Sequence, residues 1–319
     1  MNKLFKCFFL TVSVLCAGVA SAQTYELFPY ADFEHWTVRH IKESKIVGGN
    51  VRTLYVPGPT DTIDRNEAFN YSKTRWCTSN AYAVVAGITK TSTNVTPDRG
   101  QTGTCARLET QYASCKVAGM INIKVLAAGS VYLGDFIEPI KGVSDPYANM
   151  DWGIPFTKRP KAFVMDYKAK IQNSGTLTKG TTMRHTTFSG YDPSEVVVIL
   201  QNRWEDANGN IHAKRVGTAI YRIDKSTNGW KTNFTIPIIY GDRSVYPQYE
   251  EYMGLRSSGY TMLYARNSKG KIVPIHEDEW GTPNTPVTHL IVSVTSGSCG
   301  AYIGELGNIL WIDNLRLEY

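Results

Sequence analysis

Residues 195–223, EVVVILQNRWEDANGNIHAKRVGTAIYRI, consist of two runs rich in β-branched and apolar residues on either side of a turn signal. The turn is Asn208-Gly209, a pair that suits a type I′ turn because both central residues of that turn need positive φ. Runs of this composition flanking such a turn predict a β-hairpin. The stretch therefore sets the expectation of an antiparallel β-protein.

The rest of the chain carries the same signals. TMLYARN and KIVPIH flank Ser268-Lys269-Gly270, and KAFVMDYKAKI at residues 161–171 alternates apolar with polar positions. No segment keeps a 3.6-residue apolar period for three turns, and a composition of 12% aromatic residues with 27 glycines fits short strands joined by tight turns. The sequence predicts an all-β jelly-roll β-sandwich.

The first residues are typical of a secretory signal. Lys3 and Lys6 precede a short apolar run, and Ala20-Ser21-Ala22 forms a small-residue cleavage site. We expect cleavage after Ala22, which leaves residues 23–319 as one large β-sandwich domain in the periplasm or at the cell surface. No later apolar run is long enough for a transmembrane helix. The long stretch 138–160 is expected to be a packed loop, since it is too aromatic for a flexible linker.

Charge and cysteine content narrow the possible partners. Removal of residues 1–22 takes away Lys3 and Lys6 and lowers the formal charge from +6 to +4, with no basic block to favour nucleic acid. Four cysteines remain: Cys77, Cys105, Cys115 and Cys299. They could form disulfides or stay as buried free thiols. Cys105 and Cys115 could meet across the hairpin-like CARLETQYASC. The sequence has no C-x-x-C pair, so it does not predict a zinc ribbon.

Motifs for nucleophilic or metal catalysis are missing from the sequence, which has neither G-x-S-x-G nor H-E-x-x-H. DANGN at residues 206–210 resembles the start of a calcium loop, but it lacks the closing glutamate and fits the hairpin turn better. The densest acidic cluster is HEDEW, residues 276–280. It is predicted to lie in a loop, where adjacent acids form a solvated surface, although a carboxylate pair for glycoside hydrolysis is the alternative.

Aromatic residues are the more informative group, because sugars stack their C–H faces on Trp and Tyr in concave sites. Trp36 and Trp311 fall in strand patterns and are predicted to be core residues. Trp152 and Trp280 fall in loops and are candidate ligand contacts. A further group of tyrosines clusters in SVYPQYEEY: Tyr246, Tyr249 and Tyr252.

The last stretch, NILWIDNLRLEY at residues 308–319, contains one unexpected residue. A period of two places Asp313 on the same face as Trp311, Leu315 and Leu317. A buried carboxylate without partners is costly and would raise its own pKa. Asp313 is therefore expected to accept hydrogen bonds or to help bind a cation.

Several stretches together resemble the putative carbohydrate metabolism domain (PCMD) family of exported proteins from glycan-foraging Gram-negative bacteria. They occur in the order DFEHWT, RWCTSNAYAV, ARLET, GIPFTKRPKAFVMDYKAKI and SGSCGAYIGELGNILWIDNLRLEY, and they extend over residues 33–319. The sequence departs from the family pattern in its cysteines and in PIHEDEWGTPNTP. The resemblance implies a jelly-roll sandwich akin to carbohydrate-binding modules and supplies no catalytic residues.

In such sandwiches the first and last strands commonly lie side by side, which would bring Glu34 near Asp313. The resemblance also allows a structural calcium ion at the terminal strands, with a hydrogen-bonded aspartate as the alternative; no other cofactor is expected. The implied function is non-catalytic glycan binding. The alternatives are a glycoside hydrolase or polysaccharide lyase with a carboxylate pair, and a structural or adhesive subunit that contacts other envelope proteins. The predicted ligand-binding residues are Trp76, Asn80, Arg107, Trp152 and Trp280.

Overall fold

The computed structural model describes residues 23–117, 121–142, 146–180, 185–257 and 262–319; the expected signal peptide lies outside them. Its helices are short 3-10 turns: η1 Lys45–Val47, η2 Tyr71–Lys73, η3 Pro146–Asn149, η4 Arg243–Val245 and η5 Glu251–Met253. Its strands are β1 Tyr25–Leu27, β2 Trp36–Lys42, β3 Val51–Pro57, β4 Asp61–Ile63, β5 Trp76–Thr78, β6 Ala81–Val85, β7 Ile88–Ser92, β8 Val95–Arg99, β9 Thr104–Glu109, β10 Gln111–Val117, β11 Ile121–Ala127, β12 Ser130–Phe136, β13 Met150–Trp152, β14 Ile154–Pro155, β15 Ala162–Lys170, β16 Thr176–Gly180, β17 His185–Ser189, β18 Ser194–Glu205, β19 Ile211–Ile223, β20 Lys231–Pro237, β21 Ile239–Tyr240, β22 Tyr264–Arg266, β23 Ile272–Trp280, β24 His289–Thr295, β25 Ile303–Gly304 and β26 Ile309–Glu318.

Two large sheets face each other as a β-sandwich, which confirms the predicted all-β sandwich. The first sheet has the order β20-β15-β26-β9-β8, and β1 pairs with β26. The second is ten-stranded, with the main path β13-β12-β24-β18-β19-β23-β22. The small sheets β3-β2-β4, β6-β7, β10-β11 and β17-β16-β25 complete the described part of the chain.

The apolar core lies between the two large sheets. Phe163, Met165 and Leu310 reach it from the first sheet, and Val196 and Val292 reach it from the second. Each strand sends alternate residues into this layer, as a pleated backbone requires. The intervening residues of the ten-stranded sheet consequently point away from the core, and this outer face carries the candidate site described below.

The predicted hairpin of residues 195–223 forms the centre of the ten-stranded sheet. β18 and β19 pair antiparallel along their lengths, and Gly209 closes the turn with φ of 91°. The carboxylate of Asp206 accepts the N–H groups of Asn208 and Asn210 at 2.9 Å, so DANGN is a hydrogen-bonded turn. The hairpin is therefore confirmed, but the turn is not type I′: β18 ends at Glu205, β19 begins at Ile211, and of the Asn208-Gly209 pair Gly209 alone has positive φ.

A β-bulge in β19 changes which side chains face outward. Leu200 pairs with Gly217 and Gln201 pairs with Arg215, so Val216 is an extra residue opposite β18. Because the bulge shifts the alternation by one, Arg215 and Thr218 both lie on the outer face, where Arg215 Nη1 donates to Thr218 Oγ1 at 3.3 Å.

A second bulge corrects the expectation for the last strand. Val164 pairs with Arg316 and Asp166 pairs with Asp313, so β26 has one residue more than β15 across this interval. Asn314 adopts φ of 54° there. Leu310 and Ile312 face the core before the bulge and Leu315 and Leu317 after it. Asp313 and Trp311 are therefore on the outer face, and the prediction of Trp311 as a core residue is wrong, whereas Trp36 is in the core.

The N-terminal segment does lie against β26, as expected. Phe28 N–H donates to the Leu315 carbonyl at 3.2 Å, and Leu315 N–H donates to the Ala31 carbonyl at 3.1 Å. Asp313 accepts the Asn314 N–H at 2.8 Å, while the Glu34 carboxylate accepts the Thr104 N–H at 3.0 Å. Burial raises the pKa of Asp313 to about 7, and the nearby carboxylates of Asp166, Glu34 and Asp32 act in the same direction.

Two expected loops contain strands. Trp152 ends β13, and HEDEW forms the end of β23, which runs parallel to β19. Parallel pairing of this kind joins segments distant in sequence, and no local turn signal announces it. Glu277 is consequently buried at 0% exposure and is not part of a solvated acidic surface.

The cysteines do not follow the hairpin expectation. β9 pairs with β8 and β26, whereas β10 pairs with β11, so Cys105 and Cys115 lie on strands of different sheets. Cys77, Cys105 and Cys299 are free thiols, and the side chain of Cys115 lies outside what is described. The expectation that Cys105 and Cys115 could form a disulfide is therefore wrong, and Cys105 is a buried free thiol. Within the described ranges, the structure has no helix of the length and apolarity needed to cross a membrane.

Candidate functional site

A cleft of about 900 Å³ lies on the outer face of the ten-stranded sheet. Its floor is formed by outward-pointing residues of neighbouring strands: Ser130 and Tyr132 of β12, Glu195 and Val197 of β18, Arg222 of β19, and Ile291, Ser293 and Thr295 of β24. This volume is within the range of roughly 300–1,000 Å³ usual for ligand sites. The cleft exists because the segments around the sheet cover only part of its outer face.

One wall of the cleft is the segment 249–256, which carries Tyr249, Tyr252 and Arg256. Met253 anchors it by packing on Ile199 and Ile291 of the sheet, and Leu263 joins the same cluster. Both tyrosine side chains are half-buried against these residues. Aromatic rings held in this way present a firm surface to the cleft at little cost in side-chain entropy.

Trp152 contributes a further aromatic ring to the lining. Its ring packs against Tyr132 with the ring centres 4.6 Å apart, and its carbonyl accepts Arg203 Nη1 at 2.8 Å. Burial lowers the pKa of Arg203 to about 10, although Glu277 and Asp151 favour its charged form. The Trp152 backbone is therefore fastened to the sheet from below.

The polar centre of the cleft is a carboxylate between two guanidinium groups. Glu195 Oε1 accepts Arg222 Nε at 2.9 Å, and Glu195 Oε2 lies 3.5 Å from Arg256 Nη2. The Arg222 guanidinium also lies over the Tyr252 ring, 4.2 Å from its centre. Burial raises the pKa of the Tyr252 hydroxyl, an effect that Arg222 opposes. The arrangement combines fixed charge with an aromatic surface, and Glu250 and Glu251 add carboxylates at the edge.

A buried ion pair holds the wall of residues 249–256 in place. Arg215 Nε donates to Glu277 Oε1 at 2.7 Å, and Glu277 Oε2 accepts the Arg256 N–H at 2.9 Å. Arg215 also donates to the carbonyls of Met253 and Gly254 at 3.4 and 3.2 Å. Burial opposes ionisation of Glu277, but Arg215 outweighs it and keeps the pKa of this carboxyl below its ordinary value.

The opposite edge of the cleft is held by Asp192, which is fully buried. Its carboxylate accepts the N–H groups of Ser298, Cys299 and Glu305 at 2.8, 3.2 and 3.0 Å. Burial raises the pKa of Asp192, while these backbone hydrogen bonds act against that rise. The segment that Asp192 holds supplies Gly297, Ser298 and Tyr302 to the cleft.

The five residues predicted from the sequence are not brought together. Trp152 lines the cleft. Asn80 reaches its edge, but the Asn80 side chain donates to the carbonyls of Tyr55 and Val95 at 2.9 and 2.8 Å and accepts the Asn94 and Val95 N–H groups. Trp76 is completely buried in the core, and its indole N–H donates to the Pro29 carbonyl. No face of the Trp76 ring is open to a ligand.

The other two predicted residues lie away from the cleft lining. Arg107 is on the outer face of the opposite sheet, where it pairs with Glu109 at 2.7 Å and its guanidinium lies 6.0 Å from the Trp311 ring centre. Trp280 ends β23 with the Arg215 guanidinium 5.5 Å from its ring centre. Its contact is thus with the buried ion pair.

Sequence reasoning missed Glu195, Arg222 and Arg256 as members of one site. Glu195 lies near the start of the predicted hairpin sequence and Arg222 near its end, and the strand pairing places them directly across from each other. Counting outward from the predicted two-residue turn at Asn208-Gly209 pairs Glu195 with Arg222, because the length of a turn fixes the partners along a hairpin. The structure reaches the same pairing differently: its five-residue loop, 206–210, shifts the register by one residue, and the β19 bulge shifts it back. Arg256 had no comparable signal.

The calcium alternative gains no support from the described residues. Among them, no group of three or more His, Cys, Asp or Glu side chains is arranged to hold a metal ion. The Asp313 carboxylate accepts the Asn314 N–H, and burial raises its pKa. What the cleft offers a ligand is therefore aromatic rings, guanidinium groups and carboxylates.

Two solved structures are similar to this chain. A putative glycoside hydrolase from Bacteroides thetaiotaomicron VPI-5482 is similar in structure, with 18% sequence identity, a TM-score of 0.48, and coverage of 89% of this chain and 71% of that one. A putative glycoside hydrolase from Bacteroides vulgatus ATCC 8482 shows 16% identity, a TM-score of 0.47, and coverage of 83% and 91%. No curated protein matches the sequence.

The family comparison is the decisive one. The family model described as "putative carbohydrate metabolism domain" (PCMD) matches residues 60–269, which is more than half of the chain. The matched range is narrower than residues 33–319, over which the sequence resemblance extends, and it contains most of the cleft floor. This chain belongs to the putative carbohydrate metabolism domain family.

Proposed function

We propose that this protein is an exported carbohydrate-binding component of a glycan capture or utilisation system, and that a glycan chain binds in the cleft. The observation that carries the proposal is the combination of Trp152, Tyr249 and Tyr252 with the Glu195–Arg222 pair in one concave surface. Membership of a carbohydrate-related family supports the same ligand class.

The aromatic rings supply the stacking part of the interaction. A sugar ring has an apolar C–H face and a polar rim, so it matches a surface with aromatic rings beside hydrogen-bonding groups. Tyr252 and Arg222 provide this pairing directly, since the guanidinium lies against the tyrosine ring. Because the guanidinium covers one face of that ring, the ligand would contact the part of the ring that stays accessible, and its hydroxyl groups would meet the polar side chains.

The polar groups of the cleft have complementary roles. Arg222 and Arg256 are donors only, whereas the carboxylates of Glu195, Glu250 and Glu251 are acceptors. A sugar hydroxyl can donate and accept at once, so it can bridge these groups. Both arginines already contact Glu195, and with Glu250 and Glu251 the lining carries three carboxylates against these two guanidinium groups. The site therefore suits a neutral glycan better than a strongly anionic one.

The test is affinity electrophoresis of the mature chain in gels that contain a broad panel of plant and host polysaccharides. We expect retardation by at least one neutral polysaccharide. Tyr252→Ala should weaken binding about threefold to tenfold, since an aromatic contact contributes roughly 0.5–1.5 kcal/mol. Tyr252→Phe keeps the ring and should retain most of the affinity.

Trp204→Ala is the matched control, because Trp204 is exposed and lies outside the cleft lining. Unaltered mobility over the whole panel would contradict glycan binding and favour a structural or adhesive role with protein partners. New reducing ends after incubation with a polysaccharide would instead show a hydrolase. Unsaturated products would show a lyase.

A further inference from the structure

A second, smaller pocket of about 180 Å³ adjoins the cleft. It lies between the hairpins β6-β7 and β10-β11, and Ile140 closes one side. Alternate residues of two strands face into the pocket. They are Ala81, Ala83 and Val85 of β6 and Ile123, Val125 and Ala127 of β11. The two hairpins thus turn apolar faces toward each other, as period-two alternation allows.

Small side chains create the space between these faces. Ile88 packs with Val85 and Ile123 at one end of the interface. Nearer the cleft the facing positions are alanines, among them Ala83 and Ala113, so the hairpins cannot fill the gap between them. Apolar surface left open to water in this way is unfavourable unless a ligand covers it.

The polar atoms around the pocket are largely engaged within the protein. Lys90 is the charged residue among the described lining residues, and its Nζ is held by Glu43 Oε2 at 2.9 Å. Thr91 Oγ1 bonds to Glu43 Oε1 at 2.9 Å, and Ser79 Oγ accepts the Ser130 N–H at 2.9 Å. The pocket therefore offers a charged or strongly polar ligand little to bind.

The pocket is continuous with the cleft. Ser79, Ala81, Ala127, Ile140 and Tyr302 line both of them. A ligand chain lying in the cleft could thus extend a side group into the pocket without leaving its main site. Its volume exceeds the ~150 Å³ of an apolar protein cavity known to accommodate benzene.

We propose that the pocket receives an ester-linked aryl substituent of the glycan that binds in the cleft. This inference rests on the proposed glycan binding and narrows the ligand to a substituted polysaccharide. When such a group enters the pocket, it displaces water that has few hydrogen-bond partners on the apolar walls. The substituent should therefore strengthen binding of the glycan.

The experiment compares each polysaccharide of the panel before and after mild alkaline de-esterification. We expect the esterified form to bind the mature chain about tenfold more tightly. Ala83→Phe should fill the pocket and remove this difference while leaving the affinity for the de-esterified form unchanged. Ala113→Phe fills the same space from the opposite hairpin and serves if Ala83→Phe fails to fold. Ala207→Phe, in the exposed β18–β19 turn, is the control.

A direct probe separates this inference from the proposed function. Methyl benzoate should bind the wild-type chain in ligand-observed NMR and should not bind Ala83→Phe. Equal affinities for esterified and de-esterified glycans, with no effect of either phenylalanine, would overturn the inference and leave glycan binding intact. If no glycan binds in any form, the proposed function fails and the substituent proposal fails with it, whatever methyl benzoate does.

Discussion

Arg215 and Glu277 form an ion pair whose side chains are 0% and 1% exposed, and they lie beneath the segment that walls the cleft. They come from parallel neighbouring strands, and Glu277 also accepts Gln201 Nε2 at 2.5 Å and the Arg256 N–H. The pair therefore connects the sheet to the cleft wall through hydrogen bonds that water cannot replace.

Glu277→Gln should destabilise the fold strongly. The substitution leaves the Arg215 guanidinium buried without its counter-charge, and removal of one partner of such a pair costs about 3–5 kcal/mol. Urea denaturation followed by intrinsic fluorescence measures the loss. Glu279→Gln is the control, since Glu279 is exposed and pairs at the surface with Lys214. Equal effects of the two substitutions would contradict the assigned role of the buried pair.

Asp192→Asn should loosen the opposite edge of the cleft. An asparagine retains one acceptor oxygen and places an N–H₂ group near one of the three N–H donors that Asp192 now accepts. We expect a loss of about 1–3 kcal/mol in unfolding free energy and faster amide exchange over residues 297–305. Hydrogen-exchange mass spectrometry reads this segment directly. Asp224→Asn, at an exposed position, should leave it protected.

Asp313 should make the fold less stable as pH rises. Its pKa is about 7 in the folded chain against an ordinary value of 3.8, so the folded state holds a proton that the unfolded state has released. The free energy of unfolding should therefore fall between about pH 4 and pH 7 and level off above pH 7.

Asp313→Asn removes this titration. The stability of the variant relative to the wild type should increase across the same interval, with the largest gain above pH 7. Thermal denaturation in a pH series tests the difference, and Asp278→Asn is an exposed carboxylate control. A constant difference between Asp313→Asn and the wild type over this range would show that Asp313 is ionised throughout.

The thiols should be protected from alkylation. Cys77 and Cys105 are completely buried, and burial raises the pKa of both, to about 12 for Cys105. Since the thiolate is the reactive form, native labelling with iodoacetamide should be slow at these positions and complete after denaturation. Mass spectrometry of non-reduced peptides gives the readout. A disulfide-linked peptide that contains Cys105 would refute the free-thiol assignment.

Much of the fold was accessible from the sequence. The hairpin around Asn208-Gly209, the turn at Ser268-Lys269-Gly270 and the all-β sandwich follow from local composition and alternation, which act over a few residues. The approach of the N-terminal segment to β26 was also predicted, from the family resemblance. The candidate site was much less accessible, because Trp152 is the one predicted residue whose ring lines the cleft.

The reason for that difference is visible in Trp76 and Arg256. Trp76 is of a residue type that often contacts sugars. Its burial depends on Phe28 and Phe33, which lie elsewhere in the chain and pack against its ring. Arg256 reaches the cleft because Glu277, on a strand paired with β19, accepts its N–H. Contacts of this kind join distant segments, and alternation within one strand contains no record of them.

The sequence by itself determined where strands and tight turns form, since side-chain alternation and positive-φ turn residues act locally. Tertiary structure alone decided which face several key residues occupy. A single extra residue in β19 and another in β26 reverse the alternation, and so they place Arg215 under the cleft and Asp313 outside the core. A strand has a side-chain period of two, so one bulged residue exchanges its faces, and the pairing partner that creates the bulge is supplied by the folded chain.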